Sequence, residues 1–155
     1  MYAAFAIGRI ALVAIFIISG VQKFVDISAT ADAIQSRLAI PSELSDIVSQ
    51  IEAATSMSIW QILAIAVASI EVIAALLIAF NVLTRTAAVV LVIFSLVATF
   101  YFHDFWSVTN AAERTNQMNH ALKNLSIMGG LLMLVALRRR REVADETSGA
   151  RLEPL

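Results

Sequence analysis

Residues 57–80 read MSIWQILAIAVASIEVIAALLIAF, an apolar run in which Glu71 is the single charge. At roughly 1.5 Å of rise per residue, a helix of this length crosses about 30 Å of hydrocarbon. A helix that is apolar on every face belongs in a large core or in a bilayer. Three further runs of similar character flank it, at about Ala3 to Phe24, Arg85 to Phe102 and Asn116 to Leu137. The 155 residues are 59% apolar and only 15% charged, outside the range of an ordinary soluble domain. The sequence therefore predicts an all-α integral membrane four-helix bundle. It forms one domain over residues 1–137, and residues 138–155 are expected to be a basic and then disordered tail.

Between the first two spans, Val25 to Ser56 carries helical periodicity of its own. Ile27, Ala31, Ile34 and Leu38 repeat at helical spacing, as do Leu44, Ile47, Val48 and Ile51, and Ile40-Pro41 separates the two sets. Two short amphipathic helices on the outer face are expected, as a shield for the bundle end or as a lid. Ala29-Thr30-Ala31 loosely resembles a signal-peptidase site, but it lies far beyond an apolar core that is long for a signal, so the first span is read as retained.

Four spans put both termini on one side. That side receives Arg9, Arg85 and the run Arg138-Arg139-Arg140-Arg141, while the other receives Lys23, Arg37, Arg114 and Lys123 among seven acids. The positive-inside rule then predicts cytoplasmic termini. A net charge of −1 gives no reason to expect nucleic acid. The chain has no cysteine, which excludes thiolate metal sites and disulfide relays within it.

The candidate site lies where the third run closes and the fourth opens. His103-Asp104-Phe105-Trp106 ends one, and Asn116-Gln117-Met118-Asn119-His120-Ala121-Leu122-Lys123-Asn124 begins the other. Ionisable and amide groups at a bilayer boundary are costly and usually serve a pathway, a ligand or a partner. Asn116, His120 and Asn124 are four apart and share a helix face; Ser95, Thr99 and His103 do the same in the preceding span. The two faces meet if those helices pack together. Interhelical hydrogen bonding that merely holds the bundle is the alternative role for such residues, and the one favoured for Ser95 and Thr99.

In the first span Arg9, Val13, Phe16, Gly20 and Lys23 form one stripe. Glu71 lies on a face shared with Ala64, Ala68 and Ala75, so Arg9 and Glu71 are the expected buried charge pair, with a proton-relay carboxylate as the functional alternative. No metal site is expected. His103 and His120 stand on different helices without a second ligand at His-x-x-x-His or Glu-x-x-His spacing, and Lys123 would repel a cation. Glycine-rich phosphate loops and a nucleophile elbow are also lacking.

Taken in order, several elements together resemble the DoxX family of small bacterial membrane proteins. They are Gly8-Arg9, Gly20-Val21-Gln22-Lys23-Phe24, Glu71, Thr84-Arg85, His103-Asp104-Phe105-Trp106, Asn116-Gln117-Met118 and His120-Ala121-Leu122-Lys123-Asn124-Leu125. The resemblance spans about Gly8 to Leu137. It implies a four-helix protein of the bacterial cytoplasmic (inner) membrane. Relatives are linked to quinone-reducing thiosulfate oxidation and to membrane oxidoreductase complexes that act in thiol and oxidative stress. Thiol chemistry would belong to a partner, since this chain has no cysteine.

The expected function is the quinone-interacting membrane subunit of an oxidoreductase complex. His103 and His120 are the expected catalytic pair, since imidazole exchanges protons near neutrality. Lys23, Asp104, Phe105, Trp106, Asn116, Gln117, Lys123 and Asn124 are the expected ligand contacts. Lys23 and Lys123 would stabilise an anionic reduced form, and the aromatic side chains would stack on the ring or anchor at the interface. No redox centre is encoded, so electrons would come from a redox protein partner; a second copy of the chain is another candidate partner. The rival expectation is a non-catalytic membrane scaffold or assembly partner. A small-solute permease has little support without a half-broken span.

Overall fold

The computed structural model describes residues 2–149, with side-chain surroundings over residues 3–137. Its helices, in order, are α1 (Tyr2–Val25), α2 (Ile27–Gln35), α3 (Ser45–Thr55), α4 (Ile59–Ala79), α5 (Thr84–Phe102) and α6 (Ala111–Gly149), with a 3-10 turn at Ser42–Leu44 and no strand among the described residues. Four segments are long and apolar enough to cross a membrane: Ala3–Val25, Ile59–Ala79, Thr84–Phe102 and Ala111–Leu137. The chain is an all-α, multi-pass membrane bundle.

Local chemistry sets the helix ends. Asp26 breaks α1 from α2 and caps the latter, its Oδ1 accepting from the Ala29 N–H at 2.9 Å. Ser58 and Gln61 form a reciprocal capping box at the start of α4: the Ser58 N–H donates to Gln61 Oε1 at 3.1 Å, and the Gln61 N–H donates to Ser58 Oγ at 3.2 Å. Glu52 of α3 reaches the same point, accepting from the Ile59 N–H at 2.8 Å, which ties α3 to the beginning of α4. At the far end of α4, Asn81 adopts φ 62° and the Val82 N–H turns back to the Leu77 carbonyl at 2.8 Å, an arrangement that usually calls for glycine. Asn110 caps α6 through bonds from the Ala112 and Glu113 N–H groups.

The chain forms two compact units, Ala14–Ile73 and a second made of Met1–Val13 with Ala74–Leu155. In the first, Phe16, Ala31, Ile34, Ala64 and Ala68 are buried. Gly20 sets the spacing of its helices. A Cβ there would lie 2.5 Å from Val72 Cγ2 and 3.2 Å from the Ala68 carbonyl, so only glycine lets α1 approach α4 this closely. The expected amphipathic pair is present as α2 and α3. The two differ in packing: α2 buries Ala31 and Ile34, whereas α3 buries no residue and leaves Leu44, Ile47 and Ile51 exposed.

The second unit is organised around the antiparallel α5–α6 pair. Its core holds Val13, Ala75, Ile78, Ala88, Leu91 and Leu131, all fully buried. Most lipid-facing positions, among them Ile93, Leu96, Phe100, Leu125 and Met133, are large and apolar, which is the inside-out economy of a membrane bundle. One expectation needs correction here. The tail was read as losing structure after Arg141, but α6 remains helical to Gly149. Residues 142–149 lack apolar periodicity and hold few strong helix formers, so the helix there is a continuation of the preceding turns. Residues 150–155 lie outside the described residues.

Candidate functional site

The strongest polar constellation lies at the junction of α5 and α6. α5 ends at Phe102, and His103 is its C-cap, with φ −125° and its N–H on the Thr99 carbonyl. The following turn is closed by Asp104. Its carbonyl accepts from the Ser107 N–H and from Ser107 Oγ, each at 2.9 Å, and its carboxylate also accepts from Ser107 Oγ. Asn110 then starts α6, and the turn returns the chain antiparallel to itself. The two polar faces therefore run side by side.

His103 and His120 stack, with ring centroids 5.0 Å apart and planes 9° from parallel. Nδ1 of His103 lies 2.9 Å from Oε1 of Gln117, and Gln117 Nε2 donates to Oε1 of Glu113 at 2.5 Å. About one turn deeper, Asn124 Nδ2 donates to Thr99 Oγ1 at 2.9 Å, and Thr99 Oγ1 donates to the Ser95 carbonyl at 2.7 Å. Below Ser95 the seam becomes apolar, with Leu91, Ala88, Leu131 and Leu134 buried. Face-to-face imidazoles do not converge their lone pairs on one point. Among the described residues no group of three or more His, Cys, Asp or Glu side chains is arranged to hold a metal ion.

Phe105 and Trp106 continue from His103-Asp104 into an aromatic cluster. Trp106 packs on Phe105 at 5.2 Å and on Phe100 at 5.8 Å between centroids, and remains largely exposed. That placement suits an interfacial anchor. Asn116 and Lys123 are exposed on α6, and among the described residues neither side chain makes a hydrogen bond to a protein group. The ε-ammonium of Lys123 belongs to the turn that follows His120.

The second constellation belongs to the unit Ala14–Ile73. Glu71, its side chain 4% exposed, accepts from Lys23 Nζ at 2.7 Å, and Lys23 also bonds Ser19 Oγ at 2.5 Å. This corrects the expected Arg9–Glu71 pair. The close approach at Gly20 sets Ala68 and Val72 against that turn of α1, and Lys23 is one turn further on, level with Glu71. Arg9 lies eleven residues before Gly20, about 16 Å back along the axis. Its Nη2 instead donates to the Ala79 carbonyl at the end of α4, at 3.1 Å, while its Nε is buried without a partner. Lys23, read from the sequence as a ligand contact, has its ammonium held by Glu71 and Ser19.

Sequence reasoning did not single out Glu113 or Ser19. Both stand four residues before the side chain they bond, Gln117 and Lys23, so the i,i+4 rule on a helix could have found them.

A DoxX family model matches residues 4–104, through the first three spans and into His103-Asp104. The chain belongs to the DoxX family. Inner membrane protein YphA of Escherichia coli (strain K12) is 32% identical over 128 residues, which cover 83% of this chain and 78% of that protein. No solved structure matches. The Asn116 to Leu125 element lies beyond the part matched by the DoxX model, so the histidine stack joins a DoxX-matched residue, His103, to one outside that match, His120.

Proposed function

We propose that this DoxX protein is the quinone-interacting membrane subunit of an oxidoreductase complex in the bacterial inner membrane, with both termini cytoplasmic. The stacked His103–His120 pair carries the reading. Two imidazoles side by side, able to donate and accept protons, stand at the C-terminal end of α5 and in the third turn of α6, where a quinone headgroup would meet them while its tail stays in hydrocarbon. The inner-membrane location of YphA supports the compartment. Lys123 supplies a cation on the turn after His120 to favour an anionic reduced headgroup, and Trp106 with Phe105 borders the site. Electrons come from a redox protein partner, because the chain encodes no redox centre.

A scaffold is the second reading, and the Asn124–Thr99 bond favours it, since it joins α5 to α6 without any ligand. Quinone titration against tryptophan fluorescence separates the two. Trp106 is the expected reporter. Quenching should be lost in His120→Leu while the protein still folds, because a ligand oxygen would be buried without a partner. Unchanged quenching in His103→Leu, His120→Leu and Lys123→Met proteins sinks the quinone site in favour of the scaffold.

A further inference from the structure

Gln117 stands between two groups with different hydrogen-bonding abilities. On one side is the Glu113 carboxylate, 2.5 Å from Nε2; on the other is Nδ1 of His103, 2.9 Å from Oε1. A carboxylate has no proton to give, so it takes only the NH2 end of the amide. The amide is thereby held in one orientation, and the oxygen it turns to His103 can only accept. Nδ1 of His103 must therefore carry the proton. In a neutral imidazole the other nitrogen, Nε2, is then a lone-pair acceptor. Among the described residues no protein group bonds to it.

We propose that Glu113 and Gln117 are positioning residues that lock His103 in the Nδ1–H form, so that His103 accepts a hydrogen bond from a ligand hydroxyl and favours the hydroquinone over the quinone. A phenolic O–H meets the Nε2 lone pair with its proton. A quinone carbonyl meets it with a second lone pair and gains nothing there. The tautomer follows from the two hydrogen bonds alone, whereas the preference for a hydroquinone rests on the quinone reading above.

The chain has two histidines, so long-range proton–nitrogen NMR of imidazole-labelled protein in nanodiscs gives two ring patterns. His120→Phe keeps a flat ring against His103 and assigns them. Above the pH at which imidazole titrates, His103 should be Nδ1–H in the wild type and in Gln117→Glu, whose carboxylate still accepts from Nδ1. Glu113→Gln and Gln117→Leu should move it toward Nε2–H, because the obligate acceptor is lost. Nε2–H in the wild type, or Nδ1–H persisting in Gln117→Leu, overturns the assignment. Binding of a short-chain quinone and its hydroquinone to the same proteins tests the second half. The hydroquinone should bind about tenfold tighter to the wild type, the worth of one added hydrogen bond, and the ratio should collapse in Gln117→Leu. Equal affinities in a wild type that shows Nδ1–H overturn the ligand preference. Failure of both forms to bind, with Nδ1–H intact, removes the quinone reading and leaves the tautomer assignment standing.

Discussion

Lys23 and Glu71 form an ion pair whose members are unequally placed. Glu71 is almost wholly enclosed, while the Lys23 side chain keeps 26% exposure and a flexible stem. Removing the lysine strands a carboxylate in a low-dielectric interior. Removing the carboxylate leaves an ammonium that can turn outward. Lys23→Met should therefore cost on the order of 3 kcal/mol in detergent unfolding, Glu71→Gln distinctly less, and the double variant should recover most of the Lys23→Met loss. Additive losses in that cycle would show that the two side chains do not act as a pair. By the same reasoning, Arg9→Met should behave independently of both, because Arg9 bonds the Ala79 carbonyl and not a carboxylate. A coupling between Arg9 and Glu71 above about 0.5 kcal/mol would contradict the assignment.

Among the elements, α1 and α4 owe their closeness to one glycine. Gly20→Ala places a methyl against Val72 and the Ala68 carbonyl, and the backbone atom cannot step aside. We expect Gly20→Ala to lower the unfolding midpoint and to weaken the Lys23–Glu71 bond one turn away, whereas Gly8→Ala and Gly129→Ala meet no atom within 4 Å and should be neutral or stabilising by up to about 1 kcal/mol. Equal losses at all three positions would mean that helix spacing is not set at Gly20. Gly130→Ala is intermediate: the nearest atoms its methyl would meet belong to the Leu12 side chain, which can rotate. The sequence put Gly20 and Lys23 on one stripe of α1, and Glu71 on a small-residue face of α4. It did not supply the axial offset between the two stripes, and that offset decided which cation Glu71 meets.

For the molecule as a whole, the arginines gathered at one set of helix ends predict N-in, C-in insertion. The cysteine-free chain makes this directly testable with an impermeant thiol reagent on intact cells. Ser36→Cys and Thr109→Cys should label and Thr147→Cys should not; Thr109 is preferred to Asn110 because the latter caps α6. Labelling at 147 alone would reverse the orientation, and with it the leaflet that holds the histidine stack.

The amino-acid sequence by itself determined the number and position of the spans, because the cost of exposing backbone and polar groups to hydrocarbon leaves twenty-residue apolar helices as the available solution. It also determined the two helices between the first spans, through periodicity broken at Ile40-Pro41, and the polar faces of α5 and α6, through their four-residue spacing. Tertiary structure alone decided the partners. His103 takes Gln117, Asn124 takes Thr99 and Glu71 takes Lys23, because rotation and axial register come from side-chain packing at Gly20, Ala68 and Val72 and from the turn closed by Asp104 and Ser107. A one-turn slip of about 5.4 Å between neighbouring helices leaves every hydrophobic pattern in the sequence intact and changes every one of those pairs.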